Sequence, residues 1–80
     1  MDEELIDSLG DALAGQMSKA CNVRDEDNRK IAILAVLDDI LAIAEVINQY
    51  QPTYDLRYFY KRCGFPEPYP EHPITTNQGE

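Results

Sequence analysis

Apolar residues recur at alternating intervals of four and three positions through the longest nonpolar stretch of the chain, residues 29–50. This spacing is typical of an α-helix and differs from the strict alternation of a β-strand. A strand of this length would also be exceptional, since strands rarely exceed about ten residues. We therefore predict a helix over about residues 26–51. Pro52 ends it, because the residue before a proline avoids helical backbone angles.

The same stretch carries more apolar residues than one neighbouring helix can cover. A helix at a protein surface usually shows an apolar face of about a third of its circumference, whereas apolar residues here approach about two thirds. The surplus predicts self-association, most simply a two-fold homodimer in which two hairpins form a helical bundle. The predicted dimer interface consists of Ile33, Leu37, Ile40, Leu41, Ala44 and Ile47.

Shorter helices are predicted on both sides of this element. Residues 2–21 repeat apolar positions at threes and fours in one stripe, which Ile6 and Ala14 border. The stripe consists of Leu5, Leu9, Ala12, Leu13, Met17, Ala20 and Cys21. A third helix is predicted over residues 53–63. Thr53 is its candidate N-cap, and Gly64 follows where a helix commonly ends.

Together these elements predict an all-α fold with one domain, residues 1–65. The short connection at residues 22–25 favours antiparallel packing of the first two helices into a long hairpin. Residues 66–80 hold four of the five prolines and few apolar side chains. We expect them to form an extended, Pro-rich to disordered tail, because such a segment cannot bury enough surface to offset its ordering entropy.

The charge balance narrows the classes of partner. The chain has 15 acidic and 7 basic residues, a formal net charge of −8. Direct binding to nucleic acid is not expected, because it depends on a basic face. A membrane span is not expected either, since Asp38 and Asp39 interrupt the apolar run. The acidic start of the chain differs from a secretory leader, so a cytoplasmic location is expected.

All seven aromatic residues lie in the second half of the chain, between Tyr50 and Tyr69. Tyr and Arg dominate the hot spots of protein interfaces, so the third helix and the tail are interpreted as a partner-binding surface. The alternative is that this helix only covers the open end of the hairpin core, and both interpretations can hold on different faces. The predicted partner-binding residues are Tyr54, Arg57, Tyr58, Lys61, Arg62, Phe65 and Tyr69.

Four aspartates are predicted to form an acidic face on the hairpin: Asp7, Asp11, Asp38 and Asp39. Their oxygens could hold Mg²⁺ or Ca²⁺, but metal sites between helices generally add Glu and His ligands. A solvated acidic face is therefore favoured. A third interpretation is that the face docks on a basic groove, as a nucleic-acid mimic does.

The cysteines and the single histidine complete the set of candidate reactive groups. Cys21 and Cys63 are too far apart on the predicted hairpin for a disulfide. We expect Cys21 to be a small core residue and Cys63 to pack at the end of the third helix. His72 has no nucleophile or metal-ligand partner at a characteristic spacing. We predict no catalytic residue, no metal ligand and no cofactor.

The functional prediction is a small acidic protein that is not an enzyme and acts through protein–protein contact. It would be an adaptor, an inhibitor or a regulatory factor of the kind found among phage-encoded accessory proteins, which is a likeness of class only. One alternative is a structural subunit of a larger helical assembly. The other is an acidic nucleic-acid mimic that inhibits a basic partner.

Overall fold

The computed structural model describes residues 2–71, which form three α-helices and no β-strand. Helix α1 spans Glu3–Cys21, α2 spans Glu26–Tyr50 and α3 spans Leu56–Cys63. The prediction of an all-α fold is confirmed. Met1 and residues 72–80, which include His72 and most of the predicted tail, lie outside the described residues.

An aspartate caps the N-terminus of every one of these helices. The side chains of Asp2, Asp25 and Asp55 accept backbone N–H groups of the first turn at 3.1, 2.9 and 3.1 Å. Each cap satisfies a donor that has no partner within the helix. Helix α3 therefore begins at Leu56, after Asp55, and not near Thr53 as the sequence pattern predicts.

The connection at residues 22–25 lets α2 double back along α1. The Arg29 guanidinium donates a hydrogen bond to the carbonyl oxygen of Val23 at 3.1 Å. This bond connects the loop to the first turn of α2. After α2, the chain turns at residues 51–55, and α3 packs against both preceding helices. The described chain is thus a hairpin whose open side is covered by α3.

Helix α3 lies chiefly on α1 and runs in the same direction. Near its end, Arg62 reaches Asp11, and Gly64 lies beside Met17. Gly64 adopts a φ of 81°, the left-handed conformation that suits glycine at a helix C-terminus. One core joins the three helices, and its residues are Ile6, Leu13, Met17, Ala20, Val36, Ile40, Ala44, Ile47, Leu56, Phe59, Tyr60 and Cys63.

The α2 residues predicted to form a dimer interface divide into two groups. Ile40, Ala44 and Ile47 are fully buried in the core of the single chain, so they are not on a surface that a second copy could contact. Partial burial against the same core is found for Ile33, Leu37 and Leu41. The large apolar side chains of α2 that remain exposed are Ile31, Leu34, Val46 and Tyr50.

The two glycines of α1 have different surroundings, and this difference gives a first testable prediction. A Cβ atom on Gly10 would lie 3.2–3.3 Å from the aliphatic stem of Arg62, whereas one on Gly15 would meet nothing within 4 Å. Gly15→Ala should raise the free energy of unfolding by about 0.5–1 kcal/mol, because alanine loses less backbone entropy in a helix. Gly10→Ala should gain less, since the Arg62 stem must move.

Urea unfolding of the two variants, followed by circular dichroism, measures this difference. Gly15→Ala is the matched control for Gly10→Ala, because both changes add one methyl group to the same helix. Equal stabilisation by the two substitutions would contradict the close packing of Arg62 on Gly10.

Candidate functional site

Helix α3 has one face in the core and one face in solvent. Leu56, Phe59, Tyr60 and Cys63 are buried, whereas the Tyr58 side chain is 69% exposed. A helix of eight residues is not stable by itself, so its conformation depends on the buried face. The exposed face is consequently presented by a helix that the core holds in place.

Tyr60 is the centre of an aromatic cluster under α3. Its ring centroid lies 6.1 Å from that of Phe59, 5.1 Å from that of Phe65 and 5.8 Å from that of Tyr69. Burial, with a smaller contribution from the charge of Glu45, raises the pKa of Tyr60 to about 12. Phe65 and Tyr69 are only half-buried. Each of these two predicted partner-binding residues therefore packs against the core with one side of its ring and is accessible to a partner on the other side.

The two arginines of α3 are engaged within the chain. Arg57 donates to the Asp55 carboxylate through Nε at 3.0 Å and through Nη2 at 2.7 Å. Its hydrogen bonds lower the pKa of the Asp55 carboxyl group. Arg62 donates through Nε to Asp11 Oδ1 at 2.9 Å and lies 3.9 Å from Asp7 Oδ1. Both guanidinium groups remain partly exposed, but neither is an unpaired positive charge.

Lys61 differs from the arginines. It is exposed and forms no ion pair with any other residue in the range 2–71. It lies one turn after Tyr58 on the same face of α3. We use the name α3 ridge for Tyr58 and Lys61 together.

Two shallow grooves flank the α3 ridge, and both ridge residues line both grooves. The groove on the α1 side is completed by Glu3, Asp7, Tyr54 and Arg62. The groove on the side of the C-terminal segment is completed by Asp55, Arg57, Glu67 and Tyr69. The structure thus brings six of the seven predicted partner-binding residues to one surface, while Phe65 lies against the core beside it.

The four predicted acidic residues do not act as one group. Asp7 and Asp11 on α1 are the partners of Arg62, whereas Asp38 and Asp39 are exposed on α2. Within residues 2–71, no three His, Cys, Asp or Glu side chains form a group that could hold a metal ion. The arrangement of these carboxylates in this part of the chain therefore does not support a four-carboxylate metal site.

A second exposed surface follows α2 on the side opposite its buried residues, and sequence reasoning placed the accessible apolar residues elsewhere. Ile31 is 65%, Leu34 61% and Val46 43% exposed. Helical phase separates them from Ile40, Ala44 and Ile47 by about a quarter to a half turn, but the sequence does not state which of these sides is buried. We call this surface the α2 outer face, and its residues are Ile31, Leu34, Ala35, Asp38, Ala42, Glu45 and Val46.

Both cysteines are free. The environment of Cys63 agrees with the prediction, whereas that of Cys21 does not. Cys63 is fully buried, and burial raises its pKa to about 11. Cys21 is exposed, so the expectation that it is a core residue is wrong. It is the last residue of α1, where Ala20 takes the buried position instead.

Comparisons with protein-family models, with curated proteins and with solved structures find no match for this chain. Among residues 2–71, no helix combines the length and the apolar character needed to cross a lipid bilayer.

Proposed function

We propose that this protein is a small protein-binding module that acts without catalysis, as an adaptor, an inhibitor or a regulatory factor in the cytoplasm. The observation that carries the proposal is the exposed Tyr58 side chain on a helix whose other face is fixed in the core. The α3 ridge and its two grooves are the proposed contact surface. The predicted tail, whose described residues include Tyr69 in one of the grooves, would extend it.

An exposed aromatic side chain on a helix that the core holds in place is well suited to binding. Tyrosine supplies a large contact area with few rotatable bonds, so little conformational entropy is lost when a partner covers it. The Asp55 cap, the ion pair of Arg57 with Asp55 and the contact of Arg62 with Asp11 all restrain the surroundings of Tyr58. A complementary partner would offer an apolar pocket for the Tyr58 ring and a carboxylate for Lys61.

The test is capture of partners from a lysate of the native host, with the double variant Arg57→Ala/Tyr58→Ala compared with the unchanged protein. We expect the double variant to lose capture by tenfold or more, which is about 1.4 kcal/mol, while its helical circular dichroism stays the same. Tyr50→Ala is the matched control, because Tyr50 is equally exposed, at 71%, but lies at the end of α2. Unchanged capture by the double variant would remove the α3 ridge from the proposal.

A second candidate function is that of a structural subunit that associates with copies of itself, and the exposure of Ile31 and Leu34 favours it. The two-fold homodimer predicted from the sequence would then use the α2 outer face. Light scattering after size exclusion, at micromolar concentration, should show a dimer that Leu34→Glu converts to a monomer. A strict monomer before substitution would contradict this candidate.

A further inference from the structure

The α2 outer face is an apolar surface with negative charge along its middle. Ile31 and Asp38 are separated by two helical turns and therefore lie on nearly the same line along α2. Ala35 and Ala42 lie beside that line, and Leu34, Glu45 and Val46 lie on its two sides. All of these side chains are exposed in the described structure.

No basic residue lies on this face between Ile31 and Val46. The nearest one is Lys30, at the edge of the face, and its Nζ atom is 3.4 Å from Glu26 in an exposed ion pair. A partner that covers Ile31 and Leu34 must also cover or closely approach the Asp38 carboxylate. The charge on Asp38 therefore restricts what can bind.

Two kinds of occupant fit this face poorly. A purely apolar partner would take Asp38 out of water without a hydrogen-bond or charge partner, which opposes binding strongly. A second copy of this chain would bring like charges together. Antiparallel pairing that matches Ile31 with Val46 places the Asp38 carboxylates of both copies near the two-fold axis, and parallel pairing places them side by side. Each copy also carries a net charge of −8.

We propose that the α2 outer face binds an amphipathic helix of a partner protein, and that this helix places a lysine or arginine against Asp38. Apolar residues of the partner cover Ile31 and Leu34 at one end and Val46 at the other. The exposed alanines, Ala35 and Ala42, let the partner helix approach α2 closely. From Ile31 to Val46 the face is about 22 Å long, which corresponds to about four turns of a helix.

This inference does not use the α3 ridge, so each can fail without the other. It competes directly with self-association, because both need the α2 outer face. The difference between them is the charge that Asp38 meets, and one set of measurements separates them.

The probes are three synthetic 18-residue helical peptides with the same leucine and alanine stripe. They differ only at the central position of that stripe, which holds lysine, glutamine or glutamate. Fluorescence anisotropy with the full chain should show binding in the order lysine, glutamine, glutamate, with a difference of about tenfold or more between the first and the last. The Asp38→Lys variant should reverse this order.

Leu34→Glu should abolish binding of the lysine peptide. Leu5→Glu is the matched control, since Leu5 is 50% exposed on α1, and it should leave binding unchanged, as should Tyr58→Ala. The inference is overturned if none of the peptides binds at 1 mM, or if Asp38→Lys leaves their order unchanged. It is also overturned if the chain alone forms a dimer that Leu34→Glu dissociates, because a second copy would then be the occupant.

Discussion

Replacing Tyr60 with alanine is expected to reduce the free energy of unfolding by about 3–5 kcal/mol, the usual range for removing a large buried aromatic side chain. Tyr60 has no exposed surface, and its ring packs against Phe59, Phe65 and Tyr69. A domain of this size has a total stability of about 4–12 kcal/mol. The loss is therefore about a quarter or more of the total, and at the lower end of that range it would leave much of the population unfolded.

Tyr58→Ala is the control, because it makes the same substitution two residues away on the same helix. Its side chain is largely in solvent, so the expected change is about 0.5 kcal/mol or less. Thermal or urea unfolding measures both variants. Similar losses for Tyr58→Ala and Tyr60→Ala would mean that α3 does not pack on the hairpin through the face described above.

The second large effect is expected in the reactivity of the cysteines. Cys21 is exposed and should react with a thiol reagent at the rate of a free cysteine, whereas buried Cys63 should react only when the protein opens. The raised pKa of Cys63 also slows its reaction, because only the thiolate form is reactive. A pKa of about 11 in place of 9.0 leaves about a hundredfold less thiolate at neutral pH. Absorbance or mass spectrometry should show one fast equivalent and one slow equivalent.

Cys21→Ser identifies the slow thiol, since only Cys63 then remains. In urea that unfolds the chain, its reaction should become as fast as that of Cys21. The same burial predicts a dependence of stability on pH. Folding raises the pKa of Cys63 from 9.0 to about 11, so deprotonation favours the unfolded chain and stability should fall as the pH rises above about 9. Rapid labelling of Cys63 in the folded protein would contradict its place in the core.

Local sequence signals accounted for the helices well. Asp25 marks the start of α2 and Gly64 the end of α3, because capping depends on one or two residues and is visible in the sequence. The start of α3 was misplaced, since both Thr53 and Asp55 are good N-cap residues. Only the backbone turn after Pro52 determines which of them is used.

The sequence predicted less well which side of each helix is buried. That side depends on how the helices pack against each other, which the spacing of apolar residues does not determine. The predicted stripe ran from Leu5 and Leu9 to Leu13 and Met17, with Ile6 only at its border. The structure buries Leu13 and Met17, but it buries Ile6 and Gly10 with them and leaves Leu5 exposed. Gly10 gives no apolar signal, yet it is buried under the stem of Arg62 from α3. A contact between residues so far apart in sequence cannot be read from periodicity.

The sequence showed that α2 has more apolar residues than one neighbouring helix can cover. It did not show which of these residues would remain exposed. The pattern did not show that Ile40, Ala44 and Ile47 would be enclosed in the core that α2 shares with α1 and α3. The exposed Ile31 and Leu34 were consequently overlooked. The α3 residues proposed as a contact surface could be grouped from the sequence because they are close together in it, so that their proximity needed no knowledge of the tertiary structure.

The stacking of Tyr69 on Tyr60 links the chain beyond α3 to the centre of the molecule. A tag fused to residues 66–71 that displaced Tyr69 would therefore remove a ring contact from Tyr60, which is buried in the core. Cleavage beside Tyr69 should accordingly require its ring to leave Tyr60, whereas Pro66, Glu67 and Pro68 are already exposed. Fluorescent dyes or fusion partners are therefore better attached at the N-terminal end of α1.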